Sequence, residues 1–226
     1  VPVELTGAVT TYRGRAANVV YLRDISARKA AEQRLGRLNR ALRVLRDVNQ
    51  LITHEKDRQA LQQGICDLLA ETPGYQHAWL VELDTTGTPG RLFSAGETAG
   101  SERLQQYLQN GQLPVCIREA IRVESPPVLT GLDPARHHDC PLAPFHRHRQ
   151  VAVARLAHGE RLYGALGVVT SQETPIDSEE VGLIAELARD VAFALSALEA
   201  EAEAREAAAL RRFTPVSYTH LTLPTN

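Results

Sequence analysis

The sequence predicts an α+β fold: an antiparallel sheet with flanking helices, preceded by a β-hairpin and a coiled-coil-like helix. Three observations predict it. Segments rich in Val, Thr, Tyr and Leu flank tight turns at Arg13-Gly14 and at His158-Gly159-Glu160-Arg161, as antiparallel hairpins do. Stretches beginning at Leu35 and Asp177 place apolar residues three and four apart, which is the helical period. Prolines crowd the segment from Gly111 to Gln150, at Pro114, Pro126, Pro127, Pro134, Pro141 and Pro144, so that segment reads as loop with one short helix near Ile117 to Ile121.

In chain order, Val3 to Tyr12 and Ala16 to Leu22 are two strands. A lone hairpin is marginal in water, so these strands are expected to complete a sheet begun upstream. From Ala30 helix formers take over, and Asp24 or Ser26 can cap the new helix by accepting its first free amides. Leu35, Leu38, Leu42, Leu45, Asn49 and Ile52 then follow a and d spacing, with Asn49 at an a position where one polar residue can fix a two-stranded register. This predicts a parallel homodimer, or else an amphipathic helix packed on its own domain. A second helix over Leu61 to Glu71 stops at Thr72-Pro73-Gly74. Strands at His77 to Leu83 and Leu92 to Ala95, a polar helix from Glu102 to Gln109, and a hairpin of Val151 to Leu156 with Ala165 to Thr170 complete the sheet. Asp177 and Glu180 have the spacing of a capping box and open a long exit helix reaching Arg212.

Composition narrows the classes. With 226 residues and 43% hydrophobic content, the chain suffices for one ordinary core plus a smaller element. Lys and Arg number 25 against 27 Asp and Glu, a formal charge of -2, which gives no electrostatic reason to expect nucleic acid or anionic membrane as partner. Uncharged stretches such as Val191 to Leu198 are far shorter than the roughly 20 apolar residues of a membrane span. Three cysteines, Cys66, Cys116 and Cys140, read as reduced cytoplasmic thiols. The chain lacks Met and opens within a strand, which predicts a natural start further upstream. Residues 213–226 shift abruptly to uncharged Ser, Thr, Pro and Leu. From Val216 they resemble a translated sequencing adaptor, the alternative being a flexible tail, and they are set aside from the fold.

Two resemblances follow from particular residues. Arg23-Asp24-Ile25-Ser26-Ala27-Arg28-Lys29, with Glu32 and Leu35, resembles the end of a PAS domain, where a last strand gives way to an output helix. That resemblance makes residues 1–26 the final strands of an incomplete PAS domain and 27–52 a helical linker. It also gives Asp24 and Ser26 a role in coupling the helix to the sensor core. Cys116 to Ile121 before Pro127-Val128-Leu129, the strands around Gly159 and Arg161 to Val168, and Asp177 to Leu187 with Ala192 to Leu195 resemble a GAF domain over residues 40–200, with an exit helix at 200–212. The resemblance implies a sensory or relay module in a bacterial signalling protein such as a histidine kinase or diguanylate cyclase, with a small cavity against the sheet. Trp79, Phe93, Cys116, Cys140 and Phe145 are the expected ligand residues, and Asp177 and Glu180 join Asp24 and Ser26 in signal coupling. The cyclic-nucleotide and bilin signatures of that family have no counterpart here.

Other constellations leave alternatives open. His137, His138 and Cys140, with Asp139, His146 and His148, carry the side chains that zinc or haem iron accepts, yet their spacing fits no standard pattern. A metal or haem site, part of an apolar pocket, and a solvated loop are the three readings. Cys116 and Cys140 are either a redox pair or two buried thiols, and Trp79 either stacks on a planar ligand or fills core. No cofactor is required. The sequence carries no phosphate loop, nucleophile elbow or H-E-x-x-H motif, so the fragment is not expected to be an enzyme. The functional readings are thus a sensory relay, a metal or redox protein, and a ligand-free dimerisation scaffold.

Overall fold

The computed structural model describes residues 1–96, 98–123, 128–131, 149–171 and 176–213. Strands β1 (Val3–Tyr12) and β2 (Arg15–Asp24) pair antiparallel from Val3↔Asp24 to Tyr12↔Arg15. Arg13 and Gly14 both take positive φ, 53° and 76°, the pattern of a two-residue turn whose twist suits a hairpin. Almost every side chain of this ribbon is exposed, Leu5, Val9, Tyr21 and Leu22 included.

Helix α1 (Ser26–His54) buries Ala41, Val44 and Val48, with Leu45, Leu51 and Ile52 against the same cluster. The predicted seam is therefore split. Leu35, Leu42 and Asn49 remain exposed, Leu38 is half-buried, and Leu45 and Ile52 are drawn into the domain's own core. A straight helix drifts across a seven-residue repeat, so an apolar band of this width can serve the core on one flank and leave the other uncovered.

Helix α2 (Arg58–Ala70) starts at Asp57, whose carboxylate accepts the Ala60 amide at 2.7 Å, and it ends ahead of Thr72-Pro73-Gly74. The main sheet has the order β4-β3-β7-β6-β5, built from β3 (Tyr75–Leu83), β4 (Pro89–Gly96), β5 (Val128–Gly131), β6 (Arg149–His158) and β7 (Arg161–Ser171), with every pair antiparallel. Helices α3 (Thr98–Gln109) and α4 (Val115–Arg122) join β4 to β5, and α5 (Ser178–Phe213) follows β7. Strand β5 lies within the segment expected to be loop. At four residues it is too short to show alternation.

Alternation along the central strands sends side chains to two cores. Ala78, Leu80, Ala152, Leu166 and Val168 meet α1, α2 and α5, while Trp79, Val81, Val151, Val153, Ala165 and Val169 meet α3 and α4. Fully buried residues such as Leu61, Ile65, Leu80 and Leu195 each contribute about 1.5–3 kcal/mol of transfer free energy. Among the described residues, no helix is long and apolar enough to cross a membrane.

Candidate functional site

The entry helix and the exit helix lie side by side. Arg34 and Arg37 of α1 reach Glu179 and Asp177 at the start of α5, and Ala41, Val44 and Leu45 then line one space with Leu183, Ile184 and Leu187. Residue numbers rise together along both helices, so the two run parallel. The N-terminal turns of α1 and the later turns of α5 project from opposite ends of the contact, and residues 27–35 and 200–210 are exposed.

Four sequence-predicted coupling residues can be placed on this frame. Asp24 accepts the Ser26 amide at 2.8 Å where β2 passes into α1, and hydrogen bonds from Ser26 hold its carboxyl below the usual carboxylate range. Asp177 caps α5, accepting from the amides of Glu179 at 3.1 Å and Glu180 at 2.9 Å. These free amides and the positive helix end favour a carboxylate there. The reciprocal half of the expected capping box is absent from the Glu180 side chain, which turns inward and accepts the Tyr75 hydroxyl at 2.7 Å.

The Tyr75–Glu180 pair is the most desolvated polar contact of the junction, with the two residues 8% and 4% exposed. Burial pushes the Glu180 carboxyl above its ordinary value; the Tyr75 hydrogen bond opposes this, Asp177 adds to it, and Arg40 and Arg37 offset it. Burial first, and the Glu180 charge second, push the Tyr75 hydroxyl upward. Arg34 donates through Nε to Glu179 Oε2 at 3.2 Å and through Nη2 to Oε1, while Arg37 Nη2 donates to Asp177 Oδ2 at 3.4 Å. The junction thus joins α1, β3 and α5 by alternating charges around one buried carboxylate. Sequence reasoning missed Tyr75, Arg34 and Arg37. The signal was the row Arg34, Arg37, Arg40 on one helix face.

The expected ligand residues are divided between the two cores. Trp79 and Cys116 come together beneath α3 and α4, whereas Phe93 lies across the sheet beneath α2. Trp79 and Phe93 are on adjoining strands, but the pleat sends them opposite ways. The Trp79 indole is fully buried against Gly167 of β7. Cys66 and Cys116 are both buried, and burial, with a smaller contribution from Asp67, pushes the Cys66 thiol well up. Cys140, Phe145, His137, His138, Asp139, His146 and His148 lie outside the described residues, as does the redox partner expected for Cys116.

A groove of about 470 Å³ runs between β4 and α3, lined by Leu92 and Ser94 on the strand and by Ser101, Glu102, Gln105 and Gln109 on the helix. At its inner side the buried His77 meets Ser101 Oγ through Nε2 at 2.8 Å. Amides, hydroxyls and one carboxylate suit a polar small molecule with several hydrogen-bonding groups. Gln105 and Gln109, spaced i and i+4, were the sequence sign of this wall.

The family profile described as GAF domain matches residues 55–196. Among solved structures, free methionine-R-sulfoxide reductase from Neisseria meningitidis, in complex with its substrate, is 18% identical, covers 71% of this chain and 91% of its own, and superposes with a TM-score of 0.56. The GAF domain of the Acinetobacter phosphoenolpyruvate-protein phosphotransferase is 13% identical over 70% of this chain and 94% of its own, with a TM-score of 0.52. The GAF domain of a protein assigned as a sensor histidine kinase in Pseudomonas syringae pv. tomato is 19% identical over 82% of this chain and 99% of its own, with a TM-score of 0.50. A comparison with curated proteins finds no match.

Proposed function

The chain belongs to the GAF domain family, and from that premise we propose that it is a cytoplasmic sensory relay, in which the state of the domain sets how the entry helix and the exit helix pack. The observation that carries this reading is the charged junction of α1 with the start of α5, closed over the buried Tyr75–Glu180 pair. A relay needs an element whose two arrangements differ in free energy for the two signal states. Helices held by partly exposed ion pairs over one desolvated contact suit that role, because each exposed pair is worth only about 0–1 kcal/mol.

Signals enter along two routes. A polar small molecule occupying the groove between β4 and α3 acts through β3, which carries both His77 and Tyr75. A change arriving along α1 acts directly on Asp177 and Glu179. We read β1, β2 and the Arg23 to Leu35 segment as the end of a PAS domain supplying that second input. The exposed residues Leu35, Leu42 and Asn49 are its seam with a second copy of the chain in a parallel dimer. The exit helix hands the state to an output element, and no catalytic step is assigned to this chain.

Thermal unfolding across a metabolite library, combined with hydrogen exchange, tests the reading. A compound that raises Tm and changes exchange over residues 178–212, with both effects lost in Gln105→Ala, supports it. Binding that leaves α5 exchange unchanged counts against it. The complete burial of Trp79 beneath α3 and α4 favours the scaffold as second reading, and a library in which nothing shifts Tm would bring that reading forward.

A further inference from the structure

Strand β7 does not alternate evenly. Between the pairs Leu156↔Gly164 and Ala157↔Leu162, β6 advances by one residue and β7 by two, so Tyr163 is the extra residue of a β-bulge. Bulges redirect side chains. Tyr163 is brought to the same side as Leu166 and Val168, beneath α5, and is 2% exposed. Gly164 permits the bulge: its φ is 152°, and a Cβ there would collide with the Val81 carbonyl, so no other residue fits without displacing β3.

Two guanidinium groups lie against the Tyr163 ring, Arg161 at 5.3 Å and Arg58 at 5.8 Å from its centroid, within reach of a cation–π attraction. Arg58 opens α2, and its Nε stands 3.1 Å from Glu82 Oε1, the oxygen that also accepts Gln62 Nε2 at 2.9 Å. At the outer end, the Tyr163 hydroxyl donates to Glu199 Oε2 at 2.9 Å, and Arg161 Nη2 lies 3.6 Å from Glu199 Oε1. Glu199 is the last half-buried residue of α5 among those whose side chains are described, and Ala200 to Leu210 are exposed. The network therefore ends where the exit helix leaves the domain.

We propose that Tyr163 is a latch: its bulge, held by Arg58 and Arg161, fixes the departure point of α5 at Glu199, and release moves that point back to Leu195 and Leu198. This rests on the relay reading and names the contact through which the start of α2 and the β6–β7 hairpin govern the exit helix. Release shifts the last anchor by one residue to Leu198, and by about one helical turn to the fully buried Leu195. Arg58 keeps Glu82 on release, and Arg161 and Glu199, both part-exposed, separate into solvent, so the latch opens without stranding a fully buried charge.

Hydrogen exchange of the intact chain tests it, comparing wild type with Tyr163→Phe, Glu199→Ala and the double variant. Each single variant is expected to speed exchange over residues 196–204 by about five- to tenfold, the effect of one partly screened hydrogen bond to a carboxylate. The double variant should be no faster than either single one, and β6 and β7 should keep their protection. Unchanged exchange at 196–204 in both single variants, or effects that add in the double, would overturn the latch. Should Tyr163→Phe unfold the domain, Glu199→Ala carries the test, because that side chain is 36% exposed. Arg37→Ala separates the latch from the relay itself. A response over residues 178–186 there, with none at 196–204 in the latch variants, removes the latch and leaves the relay; silence of α5 in every variant removes both.

Discussion

Gly167 and Trp79 stand opposite each other on the β7 and β3 ladder, and substituting the glycine tests whether the indole is core. A Cβ on Gly167 would overlap indole atoms Cε2 and Cζ2 and lie 2.7 Å from Cδ2, where ordinary contact begins at 3.4 Å. Trp79 is fully buried, so Gly167→Ala must either rotate the indole or displace a central strand. Overpacking of that kind costs about 1–3 kcal/mol, and a clash with three ring atoms places it near the upper end. Trp79→Leu alone removes the obstacle and leaves a void, at a cost of about 3 kcal/mol. In that background Gly167→Ala meets no indole and should cost under about 0.5 kcal/mol, which gives a coupling of about 2.5 kcal/mol. Urea unfolding followed by far-ultraviolet circular dichroism measures all four proteins. Trp79 is the sole tryptophan, so emission separately reports whether the ring moves, and a red shift is expected in Gly167→Ala. Equal costs of Gly167→Ala in both backgrounds would refute the argument, whereas unshifted emission beside unequal costs would put the adjustment in the strand and not in the ring.

Three further outcomes follow from the same geometry. Because burial raises the Glu180 carboxyl, the folded chain binds that proton more tightly than the unfolded chain. Its contribution to stability therefore grows as pH falls from neutral towards the ordinary value of 4.5 and is lost above the raised folded value. Wild type should gain on Glu180→Gln in urea midpoint over that fall, and a constant difference between the two proteins would contradict the assignment. Asp57→Ala removes the acceptor for the Ala60 amide and should lower stability by about 1 kcal/mol, with Asp57→Asn nearly neutral in the same urea series. Leu42, 50% exposed on α1, belongs to the proposed dimer seam, so Leu42→Glu should halve the mass measured by light scattering while changing stability by less than about 0.5 kcal/mol; an unchanged mass would remove Leu42 from the seam.

The elements were legible wherever a local period or a turn residue marked them. Arg13-Gly14 and Gly159 placed both hairpins, Thr72-Pro73-Gly74 ended α2, and Asp177 opened α5. Strand ends were harder: Arg149, Gln150, His158 and Arg161 extend the β6–β7 ladder through backbone pairing alone, which polar residues do not announce. The site was only half legible, because its contacts join distant parts of the chain. The spacing of Glu180 from Asp177 suggested a local box, yet burial beside Tyr75, 105 positions away in sequence, claimed the side chain. Phe93 and Trp79 were both expected among the ligand residues, and the pleat sends them to opposite faces of the sheet. The bulge at Tyr163 left no trace in sequence except Gly164.

The parallel course of α1 and α5 makes the domain an insertable cassette. Since the chain arrives and departs along nearly one direction, the domain can interrupt a continuous helical stalk without reversing it. Only angular phase must then be conserved across each splice. Adding seven residues to a straight helix turns whatever follows by about 20°, whereas adding four turns it by about 40° in the opposite sense. The length of helix allowed between such a cassette and its neighbours is thus quantised by rotation, and in the proposed relay the spacing itself would be part of the message.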